Sequence, residues 1–566
     1  MILKVRHRIF SLLLSTLFIF SCQTQPGAAR DTSRGNSQGQ QVSGGLAEEI
    51  RGLTESGILS SMVQALDLIR TRELSGIDFG RMMNGINSIL IRLVYPDSPV
   101  NLPTVDLPQT YNYTRIIREA ERGSYTRPSE NSNDFFEHIL PFIAVSAGNA
   151  ADIYNDVLKD LDKAGELRPS SVLPPYFRGI LNEYSGRYAQ ADAEYKAAYA
   201  ISDECYPALA GIARVTMLAG NTEEAAALFS DLVIRYPDNT SIKRQLAVSY
   251  FENRDWSRAL PAIDEILQIE PRNGEFLLMK AHILIEQGQY PQANAPLEVY
   301  ASINSNNRSY LFMRARVQAE GNRNRDSALN YLRSIIRNNP DDTEALIYTA
   351  RLLMESSRAS DQGEGMEILA RLRQTDGSSI EVLSLSLRDA VRREEWQEAQ
   401  SFLNRILPVR RTVQDLTDGY YVERGLGNNA RALTFARELY DRDNSNNEYA
   451  IIYISALIDN ARRDEASRLI ESRLASLGTT GSGTTRSRLF FLRSRIQGNE
   501  EAALSDLRSS QFEDPRNLDA LIAMFEIYHN RREERRAVYY LRQALAISPD
   551  HPRLRRYRTE YASLLQ

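Results

Sequence analysis

Residues able to do chemistry are few in this chain, and none of them falls into a working pattern. The five histidines are His7, His138, His282, His529 and His551; no two make a His-Glu-x-x-His pair, and there is no Cys-x-x-Cys to hold zinc. No serine of the Gly-x-Ser-x-Gly kind lies between a strand and a helix. The segment Gly478 to Thr485 imitates a phosphate-binding loop in its glycines. Thr484, however, stands where a lysine would reach the terminal phosphates, and a helix precedes it instead of a strand. It reads as a linker. Carboxylates are plentiful, but on helix surfaces they are solvated or pair with arginine three or four residues on, and no two stand out as an acid/base couple. The expectation is a protein that is not an enzyme and needs no cofactor or metal. Its remaining chemistry is recognition by a surface.

The elements that would build that surface keep a 34-residue beat. Pro169, Pro237 and Pro271 fall on one grid, whose remaining places are taken by Asp203 and Ser305. With the prolines at place 32, Gly179, Ala213, Ala247 and Ala281 stand at place 8 and Gly186, Gly220 and Gly288 at 15. Tyr188, Trp256 and Tyr290 stand at 17, and Ala191, Ala225, Ala259 and Ala293 at 20. Small residues at 8 and 20 let two antiparallel helices approach closely, and an aromatic at 17 or 24 fills the space beside them. Gly at 15 turns the chain and Pro at 32 stops the second helix. Such a unit cannot bury its own apolar face, so copies must stack. Period and residue pattern resemble the tetratricopeptide (TPR) repeat family, which implies an all-α array of helix-turn-helix pairs wound as a right-handed superhelix.

The beat loosens downstream. Ala315, Ala328 and Pro340 form a unit one residue long of register, and Ala350 opens another, stretched by a loop from Ser356 to Gly365. After the break at Gly478 the strict pattern returns with Gly498, Ala503 and Pro515, then Tyr528, Ala537, Ala544 and Pro549. The expected organisation is a signal peptide at 1–21, a tether at 22–45 and an N-terminal helical region at 46–137. The repeat array then covers 138–477, a linker 478–488, a C-terminal repeat pair 489–551 and a capping helix 552–566. Within the N-terminal region, Pro96, Pro99, Pro103, Pro108 and Pro128 mark the stretch Tyr95 to Asn133 as an irregular loop in which no long helix fits. Loops of that length are often functional.

Lys4, Arg6 and Arg8 followed by the apolar run Ile9 to Phe20 read as a secretory signal, too short to span a bilayer. The run ends in Ile19-Phe20-Ser21-Cys22, which resembles the lipobox of bacterial lipoproteins, with Phe20 bulkier than the small residue usual there. The resemblance implies cleavage before Cys22 and lipidation of that residue, hence a membrane-anchored protein of the cell envelope on the periplasmic side. Gln23 to Gly45 are rich in Gly, Gln, Ser and Thr and read as a flexible tether with a reach of roughly 25–29 Å. Cys205 is left without an intramolecular partner and reads as a buried small residue or an intermolecular bridge.

The formal charge of −5, or −8 without residues 1–21, argues against a nucleic-acid partner. Six lysines stand against 62 arginines, with none after Lys280. This is codon bias or a use of planar donors that pair bidentately. TPR relatives present places 5, 9 and 12 of each first helix to the ligand. Here that column implies a concave groove lined by Tyr176, Ile180, Arg214, Met217, Arg244, Phe251, Leu278, His282, Phe312, Arg316, Arg351 and Met354. Arginines among apolar neighbours suit a polypeptide carrying carboxylates between apolar anchors. The expected function is a scaffold or adaptor binding a partner protein or peptide in that groove, with no small-molecule substrate. The alternative is a binder of envelope glycan or lipid through the Tyr-rich N-terminal region and the Arg-rich stretch from Arg531 to Tyr561.

Overall fold

The computed structural model describes residues 42–129, 131–478 and 482–565, and all regular structure among them is helical. Cys22, the signal segment and most of the tether lie outside the described residues. The chain divides into two compact units, residues 1–324 and 325–566.

In the first unit the helices Gly44–Glu55, Leu59–Thr71 and Asp78–Val94 precede the repeats. The stretch from Tyr95 to Asn133 corrects the sequence reading: it contains the helix Asn112–Glu121, which fits between Pro108 and Pro128. The hydroxyl of Thr114 donates to the Pro108 carbonyl at 2.6 Å, and Tyr113, Ile116 and Ile117 are buried. Tyr95 is buried too. Its hydroxyl donates to Gly57 O at 3.1 Å, and its ring meets Tyr206 edge-on at 5.5 Å. A degenerate first pair follows, whose first helix Phe135–Ile139 tightens into a 3-10 turn at Pro141 before the helix Tyr154–Leu167. Four regular pairs come next: Leu173–Tyr184 with Tyr188–Ile201, Tyr206–Leu218 with Thr222–Arg235, Thr240–Glu252 with Trp256–Ile269, and Gly274–Glu286 with Tyr290–Asn304. Arg308–Arg316 closes the unit.

Close packing explains the residue pattern. Ala191, Ala225, Ala259 and Ala293 are fully buried, as are Ala213, Ala247 and Ala281. A methyl group at Gly179 would meet the Tyr195 ring at 2.5 Å, and one at Gly211 would meet it at 2.7 Å. Cys205 is buried at the joint between repeats, and burial pushes its thiol up to about 11. Place 15 is left-handed in glycine and non-glycine repeats alike: φ is 72° at Gly186 and 98° at Gly220, but also 57° at Arg254, 59° at Glu394 and 59° at Arg532. At place 34, Asn239, Asn273, Asn307 and Asn517 each accept a hydrogen bond from a backbone N–H of the next helix. Such caps contribute about 1 kcal/mol each. The extra residue read between Ala315 and Ala328 is a π-turn over Val317–Gly321, the usual way a helix absorbs a single insertion.

The second unit opens with Arg325–Asn338 and continues with Thr343–Met354, Ala359–Asp376, Ile380–Arg392, Trp396–Ile406, Val413–Gly425, Asn429–Arg442, Asn447–Asp459 and Arg463–Leu477. The expected loop from Ser356 to Gly365 is mostly the start of Ala359–Asp376. Gly365 permits this, since a methyl there would meet Met354 Cγ at 2.9 Å. The helix Gly483–Ser494 begins inside the stretch read as a linker, because Ser487 is buried and bonded to the Ser510 carbonyl at 2.7 Å. It pairs with Glu500–Glu513 and is followed by Leu518–Asn530 and Glu534–Ile547. The capping segment is the helix Pro552–Glu560 and a last turn Ala562–Leu565. It docks through buried Leu554 and through Tyr557 and Tyr561, which pack on Phe525 and His529.

Candidate functional site

The residues read as the groove column lie on the first helix of each pair. Arg214 sits on Tyr206–Leu218 and reaches back to Glu183 on Leu173–Tyr184, with Nε to Oε1 at 2.9 Å and Nη2 to Oε2 at 2.8 Å. The Tyr195 hydroxyl donates to the same carboxylate at 2.6 Å. Burial opposes the charge on Arg214, and Glu183 outweighs it, so the guanidinium is held well above its usual pKa. Arg316, immediately before the π-turn, repeats the arrangement. It bonds Glu286 on the preceding first helix at 2.5 Å and Glu320 at 3.1 Å. Arg244 pairs with Glu270. In the second unit the Arg351 guanidinium lies over the Tyr348 ring, 4.4 Å from its centre.

The placement changes what the column offers. Arg214, Arg244 and Arg316 already hold carboxylates of their own chain, so an incoming carboxylate must compete with Glu183, Glu270, Glu286 and Glu320. Tyr176 and Met217 are buried between helices. Ile180, Phe251, Leu278, His282 and Phe312 remain half-buried in the first unit, as does Met354 in the second. Phe251 packs against Trp256 at 5.5 Å and His282 at 5.4 Å, and Arg308 covers Phe312 at 5.0 Å. Burial lowers the pKa of His282, with Arg316 and Arg254 acting in the same sense against Glu286. A neutral ring in an aromatic surround behaves as part of an apolar strip. The accessible lining of the first unit is therefore more aromatic and less cationic than the residue types alone suggest.

Sequence reasoning missed Glu275, in the first turn of Gly274–Glu286. Its Oε1 is buried without a hydrogen-bond partner, and burial pushes its carboxyl up to about 7, with Arg244 pulling the other way. The signal for the arginine pairs was present. Arg214 and Arg316 stand at place 9 of repeats that follow one with Glu at place 12 or 13, namely Glu183 and Glu286. Among the described residues, no group of three His, Cys, Asp or Glu side chains could hold a metal ion, and no helix is long and apolar enough to cross a membrane.

Residues 184–247 and 250–316 match one family model described as tetratricopeptide repeat, and residues 309–342 match a second with the same description. The chain thus carries tetratricopeptide repeats and folds as an all-α series of helix-turn-helix pairs. No curated protein sequence matches it. Similar solved structures include YrrB, described as a TPR protein with an unusual peptide-binding site, at 19% identity over 33% of this chain and 95% of that one, with a TM-score of 0.29. PilF of Pseudomonas aeruginosa aligns at 18% identity over 38% of this chain and 99% of its own, with a TM-score of 0.33. The hetero-tetramer of Cut9 and Hcn1 from the APC/C aligns at 13% identity over 89% and 93%, with a TM-score of 0.39.

Proposed function

We propose that this protein is a lipid-anchored scaffold of the bacterial cell envelope that holds a partner polypeptide against the first helices of its repeats. The observation that carries the binding mode is the half-buried set Ile180, Phe251, Leu278, His282 and Phe312, of which the last four lie on the successive first helices Thr240–Glu252, Gly274–Glu286 and Arg308–Arg316. Extended or helical segments bind such strips by seating apolar side chains at intervals, with polar groups at the rim fixing register. Because the arginines are tied to internal carboxylates, apolar anchors supply most of the affinity, and the ion pairs at the rim select orientation. The anchor rests on the lipobox resemblance at Cys22. A diacylglycerol there would hold the repeats within the reach of the tether.

The test is crosslinking in intact cells, then affinity purification and mass spectrometry, with wild type and Leu278→Ser/Phe312→Ser. Losing two central anchors should weaken capture of the same partner by on the order of a hundredfold, while circular dichroism stays unchanged. Unaltered capture by the double variant would refute the groove, and retention on envelope polymer without any protein would favour the glycan reading. An intact mass showing an unmodified Cys22 would remove the anchor.

A further inference from the structure

The part of the molecule that the repeats do not explain is the strap Ser124–Ser129, which crosses the helix Tyr154–Leu167. Three contacts hold it and its continuation to the first repeat. The Tyr125 hydroxyl donates to Asp160 Oδ2 at 2.5 Å, Arg127 pairs with Asp156 at 3.2 Å, and the Ser132 carbonyl lies 3.1 Å from His138 Nε2. His138 is 3% exposed and Asp160 6%. Beside them lies a cavity of about 340 Å³, bounded by Arg127 and Pro128 of the strap and by His138, Asn155, Leu158 and Asp160.

The ring of His138 faces acceptors on both sides. A carbonyl oxygen only accepts, so Nε2 must carry a proton to meet Ser132. Nδ1 has no hydrogen-bond partner and points at Asp160 Oδ1, 3.6 Å away. With a second proton on Nδ1 the ring is an imidazolium beside a buried carboxylate, and the two charges attract in a poorly screened site. Without that proton, a lone pair faces the carboxylate and Asp160 keeps only the Tyr125 hydroxyl. Glu137, on the ring's own helix, also favours the cation. Lys159, Lys163, Asp162 and Glu166 line the cavity with Arg127, and Lys163 is paired with Glu166 at 3.3 Å.

We propose that His138 is a proton-operated latch: protonated, it bridges Asp160 of the first repeat to Ser132 and keeps the strap closed over the cavity; with Nδ1 deprotonated it keeps Ser132 through Nε2–H but turns a lone pair toward Asp160, which loosens the anchor that Tyr125 of the strap shares. Burial works against the charge on the ring, but Asp160 and the Ser132 carbonyl outweigh it, so its pKa stands above the ordinary 6.5. The sign follows. A folded-state pKa above the unfolded one gives stabilisation that is complete below the unfolded value and is lost as pH rises through the folded value. The strap is therefore tight in mildly acidic medium and loose in alkaline medium. Opening it would expose the cavity and the Tyr125 face of the N-terminal region.

The experiment is amide hydrogen exchange on the full chain at about pH 5.5 and about pH 8.5, corrected for intrinsic rates, with His138→Gln alongside. In wild type, protection of peptides from Ser124 to His138 should fall severalfold at the higher pH while that of the helix Thr240–Glu252 holds. In His138→Gln the strap should respond equally at both. Ring-labelled histidine spectra of the wild type give a second readout that needs no variant to fold. The His138 resonance should titrate with a midpoint above 6.5, and Asp160→Asn should lower it. A midpoint at or below 6.5, or strap protection in wild type that ignores pH, would overturn the latch.

Discussion

Arg214→Ala separates a groove residue from an internal strut. The Glu183 side chain is 2% exposed and Arg214 17%, and their two bonds of 2.9 and 2.8 Å are joined by the Tyr195 hydroxyl at 2.6 Å. Truncating the arginine leaves Glu183 a buried anion with one donor instead of three. Breaking one side of a buried pair costs about 3–5 kcal/mol, chiefly through the uncompensated charge left behind. Arg214→Met/Glu183→Gln should recover most of that loss, since the volumes are similar and no buried charge remains. Hydrogen exchange in the helices Leu173–Tyr184 and Tyr206–Leu218 reads the effect locally without assuming two-state unfolding. Three kcal/mol is more than a hundredfold in protection. If Arg214→Ala keeps wild-type protection yet loses the crosslinked partner, Arg214 serves the ligand and the strut is wrong. If the double variant is as unstable as the single one, the cost lies in packing and the charge argument fails.

Two further perturbations follow from the same packing. Glu275 has a folded-state pKa near 7, above that of an unfolded glutamate, so its ionisation costs stability increasingly as pH rises through that interval. Glu275→Gln should stabilise the first unit by on the order of 2 kcal/mol above neutrality and by almost nothing in mild acid; thermal melts at both pH values check this, and an equal gain at both would refute the assignment. In the second unit Arg371, Arg405, Arg442 and Arg473 each donate to a carbonyl about one repeat back, at Pro340, Gly377, Arg411 and Asn444. Replacing all four with lysine should cost about 2–4 kcal/mol in urea unfolding, and an unchanged midpoint would show that solvent serves those carbonyls equally well.

What was legible in the sequence is what repeats. The alanines of places 8 and 20 had to be small because another helix lies against them, and the one-residue slip before Ala328 was visible, though not the π-turn that absorbs it. Glycine at place 15 was a sufficient sign and not a necessary one. Arg254, Glu394 and Arg532 adopt the same left-handed turn, because flanking helices impose it at a cost of roughly 1–2 kcal/mol. The helix Asn112–Glu121 was obscured by the prolines around it, and Gly483–Ser494 by a threonine- and glycine-rich start that has low helix propensity and is held by buried Ser487. The state of the groove was the least legible part. Whether an arginine faces a ligand or its own chain depends on the residue one repeat earlier, and no single-repeat pattern contains that pairing.

The same dependence bears on why lysine disappears after Lys280. In the second unit the recurrent demand on a cation is to reach across from one second helix to the turn that ends the previous one. There it meets a carbonyl and often a neighbouring group as well. Arg371 holds both Pro340 O at 3.1 Å and Asp341 at 2.6 Å, Arg442 holds Arg411 O at 2.9 Å and Glu438 at 3.2 Å, and Arg473 holds Asn444 O and the Tyr440 hydroxyl. A guanidinium supplies two or more donors in a fixed plane, so one side chain can meet two acceptors, whereas an ammonium on a flexible stem is a hydrated point charge. The accepting carbonyls follow helix ends, where backbone groups lack intrahelical partners. Arginine thus closes the end of one repeat with the side chain of the next. Codon preference can supply arginines anywhere along a chain, but it does not by itself put one on each of four second helices with a donor on a carbonyl between the preceding helices.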